Sequence, residues 1–392
     1  MRAGRYVQQL KGYRAFIPAS LPPVPPVRLE GELTALLSEA TLALGRLDGA
    51  GSILPNPDLF VSMYVRQEAV LSSQIEGTQS TLEDVLEYEM DAQGPKRSKD
   101  AEEVVNYVRA MNHGLQRLSA LPLSLRLLRE IHGRLMHGGR GSERNPGEFR
   151  TSQNWIGPQG CSLVSATFVP PPPHDMVTAL DNLEKFLHEP GNLPVLIQCG
   201  LAHAQFETIH PFLDGNGRVG RLLITLLLCE RRILERPLLY LSVFLKAHRQ
   251  EYYDRLTAIR TEGDWEGWLR FFLRGVAEVS GAATRTARSI LKLREETRQK
   301  LADSPLGGRL LDSLFERPVL SVRAAEEHLG CSYGTASALI EQMERMGVLR
   351  ETTGQKRNRL YRYEPYLALF EQQGVDTETA APPPPSAEAG RP

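Results

Sequence analysis

The sequence predicts a mainly α-helical protein with one β-hairpin in its middle and, toward the C-terminus, a short helix-turn-helix ending in a basic β-like stretch. Three observations carry this. Apolar residues recur at the three-to-four-residue period of an amphipathic helix through most of the chain. Before residue 290 only Phe149 to Val169 combines β-capable text with turn chemistry, at Gly157-Pro158-Gln159-Gly160. From Arg309 onward short helical segments are broken at Gly330-Cys331 and end at Lys356 to Tyr363.

Met1 to Glu30 reads as an irregular arm, because Leu21-Pro22-Pro23-Val24-Pro25-Pro26 imposes extended backbone. Helical spacing follows in Leu33, Leu36, Leu37, Ala40, Leu42 and Leu44, and again in Val104, Val105, Val108 and Met111. Helix also fits Ser124 to Met136, Met176 to His188, Leu193 to Ile209, Val219 to Ile233 and Trp265 to Ala277, with a charged helical connector around Leu291 to Leu301. Ser321 and Ser332 suit helix N-caps. The prolines from Pro382 to Pro385, followed by small polar residues, leave a tail too poor in apolar groups to order.

At 392 residues the chain suits roughly two or three domains. Lys plus Arg (46) nearly balances Asp plus Glu (47), so no global field draws in nucleic acid or membrane, and any such contact must be local. Cys161, Cys199, Cys229 and Cys331 form no C-x-x-C pair, which argues against zinc ribbons and disulfide scaffolds and fits a reducing cytoplasm. The greasiest run, Leu222 to Cys229, is far short of the roughly 20 residues that span a bilayer, so no membrane partner is expected.

The richest chemistry lies in His210-Pro211-Phe212-Leu213-Asp214-Gly215-Asn216-Gly217-Arg218-Val219-Gly220-Arg221, between two helical segments. The Gly-Asn-Gly backbone can turn N–H groups toward one point, and the helix that follows adds its positive dipole end, so the stretch suits an anion. Arg218 and Arg221 can fork onto phosphate oxygens. Asp214 is the hard oxygen ligand Mg²⁺ accepts beside phosphates, and His210 can take a proton from an attacking hydroxyl. The same glycines satisfy G-x-G-x-x-G, but that fingerprint needs a preceding strand, and Leu196, Cys199, Ala202, Phe206 and Ile209 are spaced as a helix. His203 reads as structural. A bland alternative stands beside these: a helix-helix turn with Asp214 as a cap and solvated arginines.

The stretch resembles the signature of the Fic family, H-x-F-x-(D/E)-G-N-G-R-x-x-R, matched at every fixed position. The resemblance extends through Pro146-Gly147-Glu148-Phe149-Arg150, Asn154-Trp155-Ile156-Gly157, Phe168 to Pro172, His248 to Tyr253, and Gly263-Asp264-Trp265. It implies a Fic/Fido helical core with a β-hairpin flap over residues 116–280. An N-terminal helical region (1–115) would precede it; a connector (281–300), a winged helix-turn-helix (301–370) and a disordered tail (371–392) would come after it.

The resemblance implies AMP transfer from ATP, with Mg²⁺, to a Tyr, Thr or Ser hydroxyl of a target protein, or of the enzyme itself. His210 would be the general base and Asp214 the metal ligand. Gly215, Asn216, Gly217, Arg218, Val219, Gly220, Arg221 and Tyr253 would bind nucleotide. The flap, with Asn154, Trp155 and Ile156, would dock the target as an added strand; an ordinary hairpin with a buried indole is the alternative. An intact Gly217 favours AMP transfer over phosphorylation.

Ser72-Ser73-Gln74-Ile75-Glu76-Gly77 resembles the family's inhibitory-helix motif, (S/T)-x-x-x-E-(G/N). Ser72 and Glu76 fall on one helix face, and the resemblance implies that Glu76 pairs with Arg221, displaces the γ-phosphate and in some relatives aids AMP removal. The C-terminal unit offers Lys356, Arg357, Arg359 and Arg362 as a basic wing, but its candidate recognition helix opens Tyr333-Gly334-Thr335-Ala336-Ser337 without a cation. DNA, a second copy of the chain and a protein target are its candidate partners, and a DNA-binding regulator with a nucleotide-sensing core is the rival function.

Overall fold

The computed structural model describes residues 2–52, 57–90, 98–139, 141–158, 160–355 and 357–375. It opens with strands β1 (Gly4–Gln8) and β2 (Arg14–Pro18), then α1 (Glu32–Ser52), α2 (Pro57–Ile75), α3 (Leu82–Met90), α4 (Lys99–Arg117), α5 (Leu125–Leu135) and α6 (Pro173–His188). The helices α7 (Val195–Ile209), α8 (Asn216–Glu230), α9 (Ser242–Ala247), α10 (Arg249–Glu262) and α11 (Trp265–Lys300) come next. The C-terminal unit holds α12 (Pro305–Leu314), β3 (Val319–Ser321), α13 (Val322–Leu329), α14 (Tyr333–Arg345), β4 (Arg350–Glu351), β5 (Leu360–Arg362) and α15 (Glu364–Val375).

The helices start where the sequence offers caps: the side chains of Ser98, Ser124, Asp264, Ser304, Ser321 and Ser332 each accept an N–H three residues on. At the centre lies α7, buried on every side from Leu196 to Ile209, as an all-round apolar helix must be. Beside it runs α8, whose N-terminus opens on the same loop that ends α7. Around this pair pack α4, α5, α6 and α11, with Trp265 and Trp268 of α11 almost fully buried. Among the described residues no helix is long and apolar enough to cross a membrane.

Residues 2–30 depart from the expected irregular arm. β1 and β2 form an antiparallel hairpin, Tyr6 opposite Phe16, and Ala15 and Phe16 are wholly buried. The β-capable Ala15-Phe16-Ile17 outweighs the neighbouring prolines because the hairpin also gains Phe16 N–H to the carbonyl of Val169. The central hairpin contracts in turn: Phe149 to Val169 is loop, held by one antiparallel bridge between Ile156 and Phe168, with Gln159 outside the described residues. Prolines 170–173 cannot donate to a ladder. Side chains serve the loop instead, with Trp155 Nε1 donating to Cys161 O and Gln153 Nε2 to Pro170 O.

α11 crosses the expected connector boundary without a break, since small Gly281, Ala282 and Ala283 continue the helix that Trp265 begins. In the C-terminal unit a three-stranded antiparallel sheet, order β3-β5-β4, lies with α12, α13 and α14. Helix α15 then returns to α11, so residues 371–375 are helical rather than tail. Lys356 and residues 376–392 lie outside the described residues. On β5 Arg362 turns inward, 2.6 Å from Glu83 of α3, so this member of the expected basic wing is spent on the protein.

Candidate active site

His210 caps the C-terminus of α7 in a left-handed conformation, φ 50° and ψ 61°. That strained geometry is fixed by its neighbours. The Arg150 guanidinium, 2 % exposed, donates to the carbonyls of His210 (3.0 Å), Ser152 (3.1 Å) and Pro171 (2.6 Å). Asn154 Nδ2 adds bonds to His210 O (3.3 Å) and Phe212 O (2.9 Å). Burial and the nearby Arg150 charge push the His210 imidazole down to about 4, against a smaller opposing pull from the Glu207 carbonyl. The ring is therefore neutral at pH 7, a base rather than an acid. Its Nδ1 is buried without a hydrogen-bond partner in the described residues, leaving Nε2 as the nitrogen open to a hydroxyl.

The loop from His210 to Gly215 is clamped by Asn216, whose Oδ1 accepts from Phe212 N–H and whose Nδ2 donates to Phe212 O, both at 2.8 Å. His132 of α5 stacks on Phe212 with ring centroids 3.8 Å apart. Its Nδ1 accepts from Gly147 N–H (2.8 Å), so Nε2 carries the proton and donates to the Asp214 carbonyl (3.1 Å). Burial holds this imidazole down at about 4, which keeps that tautomer neutral.

Gly215, at φ 75°, turns the chain into α8, and the first bond back is Val219 N–H to Gly215 O. The N–H groups of Asn216, Gly217 and Arg218 precede it and point out of the helix end. Arg218, 3 % exposed, reaches Glu103 at 3.5 Å and Asp214 at 3.7 Å, while its buried Nε has no partner in the described residues. Such an orphaned donor beside a helix N-terminus suits an anionic oxygen. Asp214 Oδ1 accepts from Gly215 N–H (2.6 Å), which leaves Oδ2 for a cation. No group of three or more His, Cys, Asp or Glu side chains is placed to hold a metal among the described residues. One carboxylate oxygen is the donor set of a Mg²⁺ ion otherwise ligated by phosphates and water, so the residues fit that ion.

Arg221, 2 % exposed, is held by the last turn of α2 and by Glu76 just past it. Its Nε donates to Ser72 Oγ (2.8 Å), and its Nη2 to Ser72 O (3.0 Å) and Glu76 Oε1 (2.6 Å). Burial alone would push the Glu76 carboxyl up, but the charge and hydrogen bond of Arg221 outweigh it and hold the group below its usual range. A Cβ at Gly217 would collide with Glu76 Oε1, so Glu76 covers the first turn of α8 directly.

Residues 34–116 match the Fic/DOC family N-terminal model and residues 122–228 the Fic/DOC family model. Over residues 34–116 and 122–228, then, the chain is of Fic/DOC type. Curated relatives include "Protein adenylyltransferase Fic" of Drosophila grimshawi, 29 % identical over 203 residues, covering 50 % of this chain and 38 % of the relative. The Aedes aegypti protein of that name is 34 % identical over 153 residues, covering 38 % and 27 %. The chain thus spans about a third of the length of these relatives. A solved Fic family protein from Desulfovibrio desulfuricans G20 shares the fold, with a TM-score of 0.54 at 20 % identity, covering 86 % of this chain and 97 % of that one.

Within this Fic core the structure gathers His210, Asp214, Gly215 to Arg221, Ser72 and Glu76 around one helix end. Val219 is part of the core, and His203 is buried, bonding Gly220 O and Tyr252. Tyr253 lies on α10 with its ring half open beneath Arg249, near enough to Glu76 and Arg221 to feel their charges. The flap side chains are placed otherwise than a docking role needs. Asn154 is spent on the motif loop, and Trp155 is buried with Ala15 and Val169. The main chain of Ile156 is paired with that of Phe168. Motif reading missed His132, which sits on the apolar face of α5, and Glu207, which is buried one turn before His210. For Glu207 the i, i+3 spacing to His210 was the available signal.

Proposed function

We propose that this Fic protein is a protein adenylyltransferase held in check by Glu76. The observation that carries the reading is the His210 imidazole at the end of α7, set beside the N-terminus of α8 that carries Arg218 and Arg221. His210 Nε2 would take the proton of a Tyr, Thr or Ser hydroxyl as that oxygen bonds to the α-phosphorus of ATP and the bond to pyrophosphate breaks. The N–H groups of Asn216, Gly217 and Arg218 would meet charge on the phosphate oxygens, and Arg218 Nε would hold the departing diphosphate. Alignment removes entropy from the barrier. Asp214 Oδ2 would hold Mg²⁺, which when bound neutralises phosphate charge. The flap main chain would dock the target segment, and the chain itself is one such target. Arg221, the natural γ-phosphate partner, is occupied by Glu76, so ATP would bind in an unproductive pose until Glu76 leaves. The C-terminal unit we read as a winged helix; the inward Arg362 favours protein docking over DNA.

Incubation of wild type, Glu76→Gly and Arg221→Ala with labelled ATP tests the reading. A mass gain of one AMP on protein, raised by Glu76→Gly and suppressed in Glu76→Gly/Arg221→Ala, is expected. Phosphate alone, or no gain from Glu76→Gly, removes it.

A further inference from the structure

A second carboxyl lies against the turn of α8 that carries Arg221. Glu207 is 8 % exposed, and its Oε1 has no hydrogen-bond partner among the described residues. A Cβ at Gly220 would collide with that oxygen, just as one at Gly217 would collide with Glu76 Oε1. Gly217 and Gly220 are three apart on one face of α8, so the two carboxyls cover successive turns of the helix that carries Arg221. Glu76 covers the outer turn, toward the N-terminus; Glu207 covers the inner one.

The groups around Glu207 hold partners of their own. The Nδ1–H of neutral His203 donates to Gly220 O at 2.8 Å, so its Nε2 accepts the single hydroxyl proton of Tyr252 at 2.9 Å. Arg260 from α10 lies over the Phe168 ring at 3.9 Å and donates to Thr257. Arg221 is turned to Ser72 and Glu76. The charged and titratable groups that face Glu207 are therefore Arg221 from α8, Glu76 after α2, Arg260 and Tyr252 from α10, and His203 and His210 on its own helix.

We propose that Glu207 is a positioning residue for Arg221, a spare counter-ion that ionises when Glu76 leaves and takes up a proton when a polyphosphate brings negative charge to the same guanidinium. In the closed state burial pushes Glu207 up to about 7, Glu76 adds to that and Arg221 opposes it. Without Glu76 the balance moves toward the carboxylate; a triphosphate moves it back. The proton exchanged comes from solvent, and no bond other than O–H forms or breaks. Glu207 thus keeps the buried arginine from standing uncompensated in the open state without entering the phosphate site.

This inference rests on nucleotide binding at Arg221, and the test separates the two. The Mg²⁺ complex of α,β-methylene-ATP is titrated calorimetrically into Glu76→Gly and Glu76→Gly/Glu207→Gln at pH 6, 7 and 8, in buffers of different ionisation heat. The expected result is affinity in Glu76→Gly that falls several-fold from pH 6 to pH 8, with about half a proton more taken up at pH 7 than in the double variant. Proton release by the nucleotide is common to both proteins and cancels in the difference. Equal pH dependence and equal proton uptake overturn the role of Glu207, because a purely structural side chain would not move either. Absence of any binding to Glu76→Gly that Arg221→Ala abolishes overturns the nucleotide reading itself. Should Glu207→Gln not fold, Glu207→Asp keeps the charge and is expected to shift the midpoint of the pH dependence; an unchanged midpoint overturns the proposal.

Discussion

Glu76→Gly exposes the trade between stability and activity most directly. The pair it breaks is 2.6 Å long, with Arg221 2 % and Glu76 34 % exposed. Removing one partner of a fully buried pair costs about 3–5 kcal/mol, whereas exposed pairs are worth about 1 kcal/mol or less. A third of Glu76 reaches solvent and Arg221 keeps two bonds to Ser72, so about 2 kcal/mol is expected. For a chain of 392 residues that lowers Tm by roughly 2–3 °C. Because the carboxylate competes with the γ-phosphate for the same guanidinium, the same 2 kcal/mol returns as about 30-fold in kcat/KM for ATP. Glu76→Gln, which keeps a hydrogen bond and loses the charge, should fall between. Calorimetric unfolding and initial rates of AMP transfer measure both sides. A fall in Tm without a rise in kcat/KM would refute the reasoning, since Glu76 would then be structural only.

Asn216→Ala leaves Phe212 N–H without its partner and removes one of two bonds to Phe212 O; a loss of about 2–4 kcal/mol in urea unfolding and near-complete loss of labelling are expected. His132→Phe keeps the stack on Phe212 but drops the bonds to Gly147 N–H and Asp214 O, so the apparent Mg²⁺ requirement should rise several-fold and Tm should fall by about 1–4 °C, read from metal titrations of the rate and thermal unfolding. The Glu76 pairing is present above the unfolded carboxylate value near 4.5 and is lost only as pH falls through a still lower folded value. Labelling by wild type should therefore stay restrained from pH 5 to 9. Glu207 has the opposite sign: its folded value near 7 lies above the unfolded one, so its contribution is full below 4.5 and lost as pH rises through 7, on the order of 3 kcal/mol. Glu207→Gln should flatten the fall in Tm between pH 5 and 8, measured by thermal unfolding.

What was legible in the sequence is what short spacing encodes. His210 to Arg221 had to meet at one helix end, because twelve consecutive residues that close α7 and open α8 cannot spread further. Glu76 and Arg221 were legible only through the resemblance, since their sequence separation is 145 residues and no local pattern links them. The hairpin of β1 and β2 was hidden by the prolines just after it; its stability comes from Val169, a contact no window of the sequence contains. The flap misled in the other direction. Its β-capable residues serve as packing for Trp155 and as polar clamps on the motif loop, roles that propensity does not distinguish from a ladder.

Arg221 is where these lines meet, and Ser72 shows why restraint and readiness are separable there. Were Glu76 the only partner of the guanidinium, its departure would free the side chain to wander, and an open enzyme would bind phosphate no better than a closed one. Ser72 holds Nε through its hydroxyl and Nη2 through its carbonyl, both from the last turn of α2, while Glu76 lies just past that turn. Fraying of the residues after Ile75 can therefore withdraw the carboxylate without withdrawing the positioning bonds. Ser72→Ala should then act opposite to Glu76→Gly, lowering kcat/KM for ATP several-fold even in the Glu76→Gly background. If the two substitutions instead raise the rate alike, Ser72 belongs to the restraint and Arg221 has no positioning support apart from it.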